Sequence, residues 1–439
     1  MSDTAAFLVD RVFPLAPVRM WVISFPPPLR YLLAYDAEIC NAVIGIFLSE
    51  VFSWLRRTAK RELGLRRLSE AHPGAVTFLQ RFGDGLRLSV HLHSLVLDGV
   101  YVHAGANHPP TFHALPAPTK LDIQAVGTNV WLRTTRLLQE RGKYFDADPA
   151  EADTLAREQP LLAAAYAASV NNVIAFGPRA GQGVLRLGWA TNDDREPGPD
   201  EDPPADEVTG PVHGFNVHAG VRVSASDRKR LERLQRYAAR GPLASERLSR
   251  AADGDVVYRL RRKWRDGTTS LRFSPYELIE KLCVLVPPPR FNLTRFHGVL
   301  APNHRLRALV VPSPHADANP TPQQLRLFTA NGLPSRTPRR RDGKPRAEPR
   351  PRMPWALLLK RTFGVDVLVC ERCGHSPLKL RAIATQPADA RALLRSLGAP
   401  CDEVPPSRLP RAPPAARPFG AWGPWGQLSL FASAAPPCS

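Results

Sequence analysis

Cysteine is scarce in this sequence, with six residues in a chain of 439. That is too few for a disulfide scaffold and is typical of a reducing cytosol. Long apolar runs are also missing, since the longest uninterrupted one covers residues 161–168, so the sequence predicts no transmembrane helix. The first residues, MSDTAAFLVDRVFP, contain no long apolar segment typical of a secretory signal. These absences predict a cytoplasmic protein with no membrane partner.

Acidic residues are outnumbered, because 59 Lys and Arg stand against 40 Asp and Glu, which gives a net charge of +19. A surface this basic attracts polyanions such as nucleic acid, whatever their sequence. Hydrophobic residues make up 44% of the chain, which is enough for a packed core. Charge therefore predicts a class of partner but no chemistry.

Two polar segments divide the chain into predicted parts. Residues 191–210 carry eight acids and four prolines, which predicts an acidic disordered linker between structured parts at 1–190 and 211–312. Residues 313–354 end in a Pro- and Arg-rich stretch that predicts an extended basic linker. A small segment at 355–404 with a Cys-x-x-Cys pair and a Pro/Ala-rich tail at 405–439 follow.

Hydrophobic periodicity predicts an α+β fold. The predicted helices begin after the capping residue Asp36 and cover 122–142, 150–170 and 227–240, with another beginning at Ser274. The predicted strands cover 18–25 and 212–223, and two hairpins turn at residues 83–85 and 265–267. Strands that pair as hairpins favour a small antiparallel sheet with helices packed on it.

The segment LRLSVHLHSLVLDGVYV carries the first candidate site. His91 and His93 are two residues apart in a strand pattern, so both imidazoles point to one face of the sheet. Neutral imidazoles in this arrangement suit a divalent metal, predicted to be Mg²⁺ or Mn²⁺, although half-buried histidines in a sheet give the same pattern.

A third metal ligand is left open by the sequence. Gln80 could offer an amide oxygen, but a simple turn at residues 83–85 would pair it with Leu88 and place it on the face opposite the histidines. A bulge or a longer loop would reverse that placement. His218 and His213, just before the helix at 227–240, are the rivals.

The helix SDRKRLERLQRYAARGP carries the second candidate site. Tyr237 lies at the border between an apolar stripe and a basic face formed by Arg233, Arg236 and Arg240, which could clamp a phosphate. A tyrosine at the edge of a core gives the same pattern. A tyrosine that attacks a metal-polarised phosphate conserves the cleaved linkage for rejoining, which a strand-transfer enzyme needs.

Cys370 and Cys373 have the spacing of a zinc knuckle, half of a four-ligand site. His375, Cys401 and Cys438 could complete it, and a pair of reduced thiols is the alternative.

Several blocks of the chain, in order, resemble a known family over about residues 5–312. They are PVRMWVISFPPPLRYLLAYD, AVTFLQRFGDGLRLSVHLHSLVLDGVY, LERLQRYAARGPLASERL, WRDGTTSLRFSPYELIEKLCVLVPPPR and RFHGVLAPN. They are similar to the rolling-circle transposases of bacterial insertion sequences, the HUH-type "ninety-one" group, named for a His-hydrophobe-His motif.

The resemblance implies a metal-dependent enzyme that nicks single-stranded element ends, joins the DNA through a 5′-phosphotyrosine and transfers it to target DNA. His91 and His93 would be metal ligands and Tyr237 the nucleophile, on an HUH-endonuclease-like sheet with the histidine strand central and a helical insertion. It also implies a bacterial, nucleoid-associated location. The alternatives are a noncatalytic nucleic-acid-binding remnant and a replication-initiator-like nickase.

Departures from the family pattern qualify these expectations. Members often carry two tyrosines four residues apart, but Arg233 stands four residues before Tyr237, which predicts a one-tyrosine enzyme. Tyr31 and Tyr35 have that spacing but lie upstream of the histidines and are interpreted as core residues. Relatives carry a cysteine-rich zinc module ahead of the catalytic domain, so a truncated start is expected.

Overall fold

The computed structural model describes residues 2–103, 108–143, 153–188, 212–264, 266–289, 291–312 and 353–369, with two short helical pieces at 391–392 and 395–396. The chain forms two compact units, Met1–Arg326 with Asn331–Asp366, and Leu327–Ala330 with Val367–Ser439. The elements below belong to the first unit. The predicted linker at 191–210, nearly all of the one at 313–354, the Cys370–Cys373 pair and the tail at 405–439 lie outside the described residues.

The described elements are helices and mostly short strands. The helices are α1 Ser2–Arg11, α2 Pro27–Tyr35, α3 Ala37–Leu63, α4 Lys120–Glu140, α5 Thr154–Glu158, α6 Pro160–Val170, α7 Arg228–Ala238, α8 Pro275–Leu285, α9 Arg307–Val310 and α10 Trp355–Phe363. The strands are β1 Val18–Ser24, β2 Ala71–His72, β3 Gly74–Phe82, β4 Leu88–Leu97, β5 Gly99–Val102, β6 Thr111–Ala114, β7 Leu185–Gly188, β8 Asn216–His218, β9 Arg222–Val223, β10 Leu248–Arg250, β11 Val256–Arg259, β12 Thr268–Phe273 and β13 Thr294–Gly298.

The main sheet has six strands in the order β13-β3-β4-β1-β8, with β9 also pairing with β1. Every pairing in it is antiparallel. The histidine strand β4 is central, and it pairs with β1 from Val18↔Leu97 to Ser24↔His91. Smaller antiparallel sheets are formed by β10-β11-β12-β7 and by β2-β5-β6. The predicted α+β class is confirmed.

The two faces of the main sheet bury different cores. Leu92 and Ile23 belong to a larger core that includes residues of α2, α3 and α4. Leu95, Leu97 and Met20 belong to a smaller core that includes residues of α1, α7 and α9. Because side chains alternate along a strand, His91 and His93 share the face of the smaller core.

The long helix α3 begins where the sequence predicts. The Asp36 side chain accepts a hydrogen bond from the Ile39 N–H, and Gly64 ends the helix in the left-handed conformation. By length and composition this helix could cross a membrane, but most of its apolar window is buried inside the molecule. The search for long apolar runs in the sequence passed over this helix because polar residues such as Asn41 and Glu50 interrupt it.

Two predicted elements are divided in the structure. The single helix predicted at 150–170 becomes α5 and α6, because Pro160 has no N–H to continue α5 and instead occupies the first turn of α6. The strand predicted at 212–223 becomes β8 and β9, which pair with different parts of β1.

The helix α10 lies against α1 and α7. The Arg361 guanidinium pairs with Asp10 of α1, at 2.5 Å, and with Glu232 of α7, at 2.6 Å. The helix α10 is therefore ion-paired to the helix that carries Tyr237.

Candidate active site

The two histidines of β4 lie side by side on the smaller-core face of the main sheet. Their ring centroids are 4.9 Å apart. His93 is only 4% exposed, and neither of its ring nitrogens has a hydrogen-bond partner. Burial holds the pKa of His93 well below its usual range, and the charges of His91 and Arg240 add to this effect. His93 is therefore a neutral imidazole with an unused lone pair, the form that binds metals.

The tautomer of His91 follows from its neighbours. Its Nδ1 lies 2.8 Å from the backbone oxygen of Ser89, which can only accept, so Nδ1 carries the hydrogen and donates it. Its Nε2 lies 3.1 Å from Oε1 of Gln80. In the neutral ring this nitrogen presents a lone pair toward Gln80.

The Gln80 amide has a fixed orientation. Its Nε2 donates to the backbone oxygens of Tyr237, at 3.2 Å, and Ala238, at 2.8 Å, so its Oε1 must point at His91. When His91 is neutral, two acceptors, an imidazole nitrogen and an amide oxygen, face each other across 3.1 Å. Either a proton on Nε2 or a bound cation relieves this conflict, and adjacent ligands of an octahedral ion with bonds of about 2.1 Å are themselves about 3 Å apart.

The register of the β3–β4 hairpin brings Gln80 to this position. Gln80 pairs directly with His91, and the register shifts between Gln80 and Phe82. The simple turn that would have placed Gln80 opposite Leu88 is not formed, because Gly85 and Leu86 both adopt positive φ in a longer loop. The bulged alternative is the one in the structure.

Tyr237 meets the histidines from α7. The Asp227 side chain caps this helix, and Leu231, Leu234 and Ala238 pack into the smaller core. The phenol ring lies with its centroid 5.5 Å from that of His93, nearly perpendicular to it. The residues predicted as nucleophile and metal ligands are therefore neighbours, although 144 positions separate them in sequence.

The three predicted arginines have different surroundings. The Arg240 guanidinium lies 4.6 Å from the centre of the Tyr237 ring and 5.9 Å from that of Phe82. Arg236 forms an ion pair with Glu232 at 3.0 Å, while Arg233 is exposed.

A fourth arginine, which the sequence did not single out, also reaches the tyrosine. The Arg261 guanidinium lies 5.7 Å from the centre of the Tyr237 ring. It belongs to the connection between β11 and β12, in the basic run Arg259–Lys263. That run was a visible signal, but nothing in the sequence connects it with a residue 24 positions earlier.

The rival ligands lie elsewhere. His218, on β8, pairs with Val22 of β1, and Val22 in turn pairs with His93 of β4. His218 therefore lies on the same face of the sheet as the histidines, but two strands away from them. His213 stacks on Trp131 of α4, with ring centroids 3.7 Å apart. Among the described residues no group of three or more His, Cys, Asp or Glu side chains is placed to hold a metal, so the candidate metal site consists of two imidazoles and an amide.

Tyr31 and Tyr35, interpreted from the sequence as core residues, are half-buried and pack against the larger core, and both hydroxyls bond to Asp153. Burial and that carboxylate raise the pKa of both phenols. A phenol held in this way is a poor nucleophile. Cys370 and Cys373, the predicted zinc ligands, lie outside the described part of the chain.

Comparison with known protein families gives a match. The model of a family described as "Putative transposase" (Y2_Tnp) matches residues 74–307, which is more than half of the chain and includes His91, His93 and Tyr237. No curated protein and no solved structure matches this chain.

Proposed function

Because the chain belongs to this transposase family, we propose that it nicks single-stranded DNA through a 5′-phosphotyrosine and transfers the strand, as in rolling-circle transposition. The observation that carries the proposal is the contact between Tyr237 and His93, a buried imidazole whose two nitrogens have no partner. A buried polar group without a hydrogen bond is unfavourable for folding, which supports a ligand at this position.

Tyr237 is the proposed nucleophile. Its phenolic oxygen attacks the scissile phosphorus, the new bond to phosphorus forms, and the bond to the 3′ oxygen of the upstream strand breaks. The phenolic proton is released and the 3′ oxygen takes one up, so the products are a free 3′-hydroxyl and a tyrosine linked to the downstream 5′ phosphate. A 3′-hydroxyl of target DNA later reverses the step on the same phosphorus.

His91, His93 and Oε1 of Gln80 fit a divalent ion such as Mg²⁺ or Mn²⁺, because the deprotonated imidazoles would offer two nitrogens, and Gln80 one amide oxygen, on one face. Such an ion, when bound, polarises the scissile phosphate. Gln80 also binds the backbone of Tyr237 and Ala238, so one side chain fixes the distance between the proposed ligands and the nucleophile. Arg240, beside the ring, is proposed to hold the DNA strand together with Arg233 and Arg236.

The test uses a single-stranded oligonucleotide labelled at its 3′ end, incubated with the full chain and Mn²⁺. A 5′-phosphotyrosine predicts a labelled adduct that survives boiling in detergent, whereas a 5′ label appears only in a shortened free strand. Tyr237→Phe removes the attacking oxygen and should abolish the adduct while DNA binding persists. Tyr31→Phe removes a phenol outside the site and should leave adduct formation unchanged.

Each other outcome rejects the proposal in a defined way. An adduct that persists in the Tyr237→Phe variant would exclude this nucleophile. DNA binding without any adduct would favour a noncatalytic nucleic-acid-binding protein. Adduct without transfer to a second oligonucleotide that carries a 3′-hydroxyl would favour a nickase over a transposase.

A further inference from the structure

The hairpin β11–β12 brings a second basic element to the tyrosine. Arg259, Arg261, Arg262 and Lys263 stand together where the hairpin turns. Arg261 is half-buried and lies against the Tyr237 ring, whereas Arg259 is exposed. The hairpin belongs to the β10-β11-β12-β7 sheet, separate from the sheet that carries the histidines.

The position of the hairpin is fixed by its contacts with the β3–β4 turn. The indole N–H of Trp264 donates to Asp84 at 2.6 Å. A Cβ on Gly85 would lie 3.2 Å from the Trp264 ring and 2.8 Å from Leu271, so the turn and the hairpin are in close contact. Leu260, next to Arg261, is buried in the larger core. Arg261 is therefore held between two buried or anchored residues rather than carried on a free loop.

The charges around the phenol match a phosphodiester. Arg240 and Arg261 approach the same ring from different elements, at 4.6 and 5.7 Å from its centre. A guanidinium presents several N–H donors in a planar fork that suits two phosphate oxygens. In attack on a phosphodiester the charge that develops falls on its non-bridging oxygens, where fixed donors are most effective.

We propose that Arg261 is a further catalytic residue, which donates to the non-bridging oxygens of the phosphate that Tyr237 attacks. This inference rests on the proposed function. Arg261 takes no part in bond making or breaking: the phenolic oxygen binds phosphorus, the 3′ oxygen leaves, and the guanidinium keeps all of its protons. Its contribution is to stabilise the transition state, so its loss should slow the chemical step more than it weakens DNA binding.

The test measures adduct formation in a single turnover, with the full chain in excess over a 3′-labelled oligonucleotide and with saturating Mn²⁺. Arg261→Ala should lower the rate by about 10² to 10³-fold and change the Kd for DNA by no more than about threefold. Arg259→Ala removes the same charge two residues away and should leave the rate within about threefold of the wild type. Arg261→Lys keeps the charge without the fork and should give an intermediate rate.

A modified substrate separates contact with the phosphate from a structural role. Replacing one non-bridging oxygen of the scissile phosphate by methyl removes the negative charge that Arg261 would meet. If Arg261 touches this group, the penalty of Arg261→Ala should fall to about threefold on the methylphosphonate, since a double-mutant cycle isolates the pair. An equal penalty on both substrates would overturn the inference, and so would an Arg261→Ala rate within threefold of the wild type.

The failure of this inference is distinct from that of the proposed function. If the adduct requires Tyr237 but not Arg261, only the inference is overturned. If the Tyr237→Phe variant still forms the adduct, or the wild type forms none, the proposed function fails and the role of Arg261 fails with it.

Discussion

Gln80 connects the two halves of the candidate site through one amide group. Its oxygen faces His91 and its nitrogen binds the last turn of α7, so it contacts a proposed metal ligand and the backbone of the proposed nucleophile. Its 3% exposure leaves little room for another conformation. The amide therefore fixes the distance between β4 and α7, and in the proposed metal site it supplies the third ligand.

Substituting Gln80 by Ala should weaken Mn²⁺ binding by about 10- to 100-fold, the range seen when a side chain that orients or completes a metal site is removed. Isothermal titration of the full chain with Mn²⁺ measures this change. Gln139→Ala, at an exposed position on α4, is the control and should leave the affinity unchanged. An unaltered affinity in the Gln80→Ala variant would exclude the amide as a ligand.

Sequence reasoning could place His91 and His93 on one face, because alternation along a strand is independent of the rest of the fold. It could not place Gln80, whose face depends on the number of residues in the turn. Gly85 at positive φ is expected of a glycine, but Leu86 at φ 61° is a conformation that leucine rarely adopts. Arg261 was missed for a related reason, because its approach to Tyr237 depends on how two sheets dock.

At the scale of elements, local signals predicted the helices that have their own caps. Asp36 and Ser274 each accept the hydrogen bond expected of an N-cap, and the helices begin after them. Elements defined by long-range pairing were harder to predict. The edge strand β13 pairs with β3, more than 200 positions earlier, and its half-buried residues give no clear alternation.

The end of β13 gives a prediction about the main sheet. Gly298 has φ 59°, and a Cβ there would lie 3.0 Å from the Pro73 carbonyl carbon and closer still to its oxygen. Gly298→Ala should therefore lower the free energy of unfolding by about 2 to 4 kcal/mol, from backbone strain and a clash with a backbone atom. Urea denaturation followed by circular dichroism measures the change.

The matched control is a glycine in open space. Gly45 lies on the exposed side of α3 with no atom within 4 Å of an added Cβ, so Gly45→Ala should raise stability by about 0.5 to 1 kcal/mol through helix propensity. If Gly298→Ala and Gly45→Ala changed the free energy of unfolding equally, the backbone clash at Gly298 would not be the cause of the loss.

For the whole molecule, half-buried histidines make the fold sensitive to acid. Burial lowers the pKa of His72 and of His297 to about 4, with nearby positive charges adding to the effect. In the unfolded chain a histidine titrates near pH 6.5. Between these values the unfolded state binds more protons than the native state, so stability falls as the pH decreases from about 6.5 to 4 and gains nothing from these groups above 6.5.

Replacing His297 by Gln removes one such group. The loss of unfolding free energy between pH 6.5 and 4 should become smaller, by on the order of 2 kcal/mol, than in the wild type. Denaturant titrations at several pH values give this difference even if the variant is less stable at pH 7. His108→Gln, at an exposed position, should leave the pH dependence unchanged. A parallel curve for the His297 variant would show that this residue does not contribute.

The ladder between β1 and β4 crosses the boundary of the family match, which begins at residue 74. A recombinant fragment cut to residues 74–307 would lose β1, α2 and α3, leaving the strand of His91 and His93 with a bare edge and the larger core without two of its helices. Such edges pair with other chains, so the fragment should aggregate rather than fold. The family match, residues 74–307, is thus shorter than the part of the chain that is needed for folding. An expressed fragment must therefore begin upstream of residue 18, so that it includes β1.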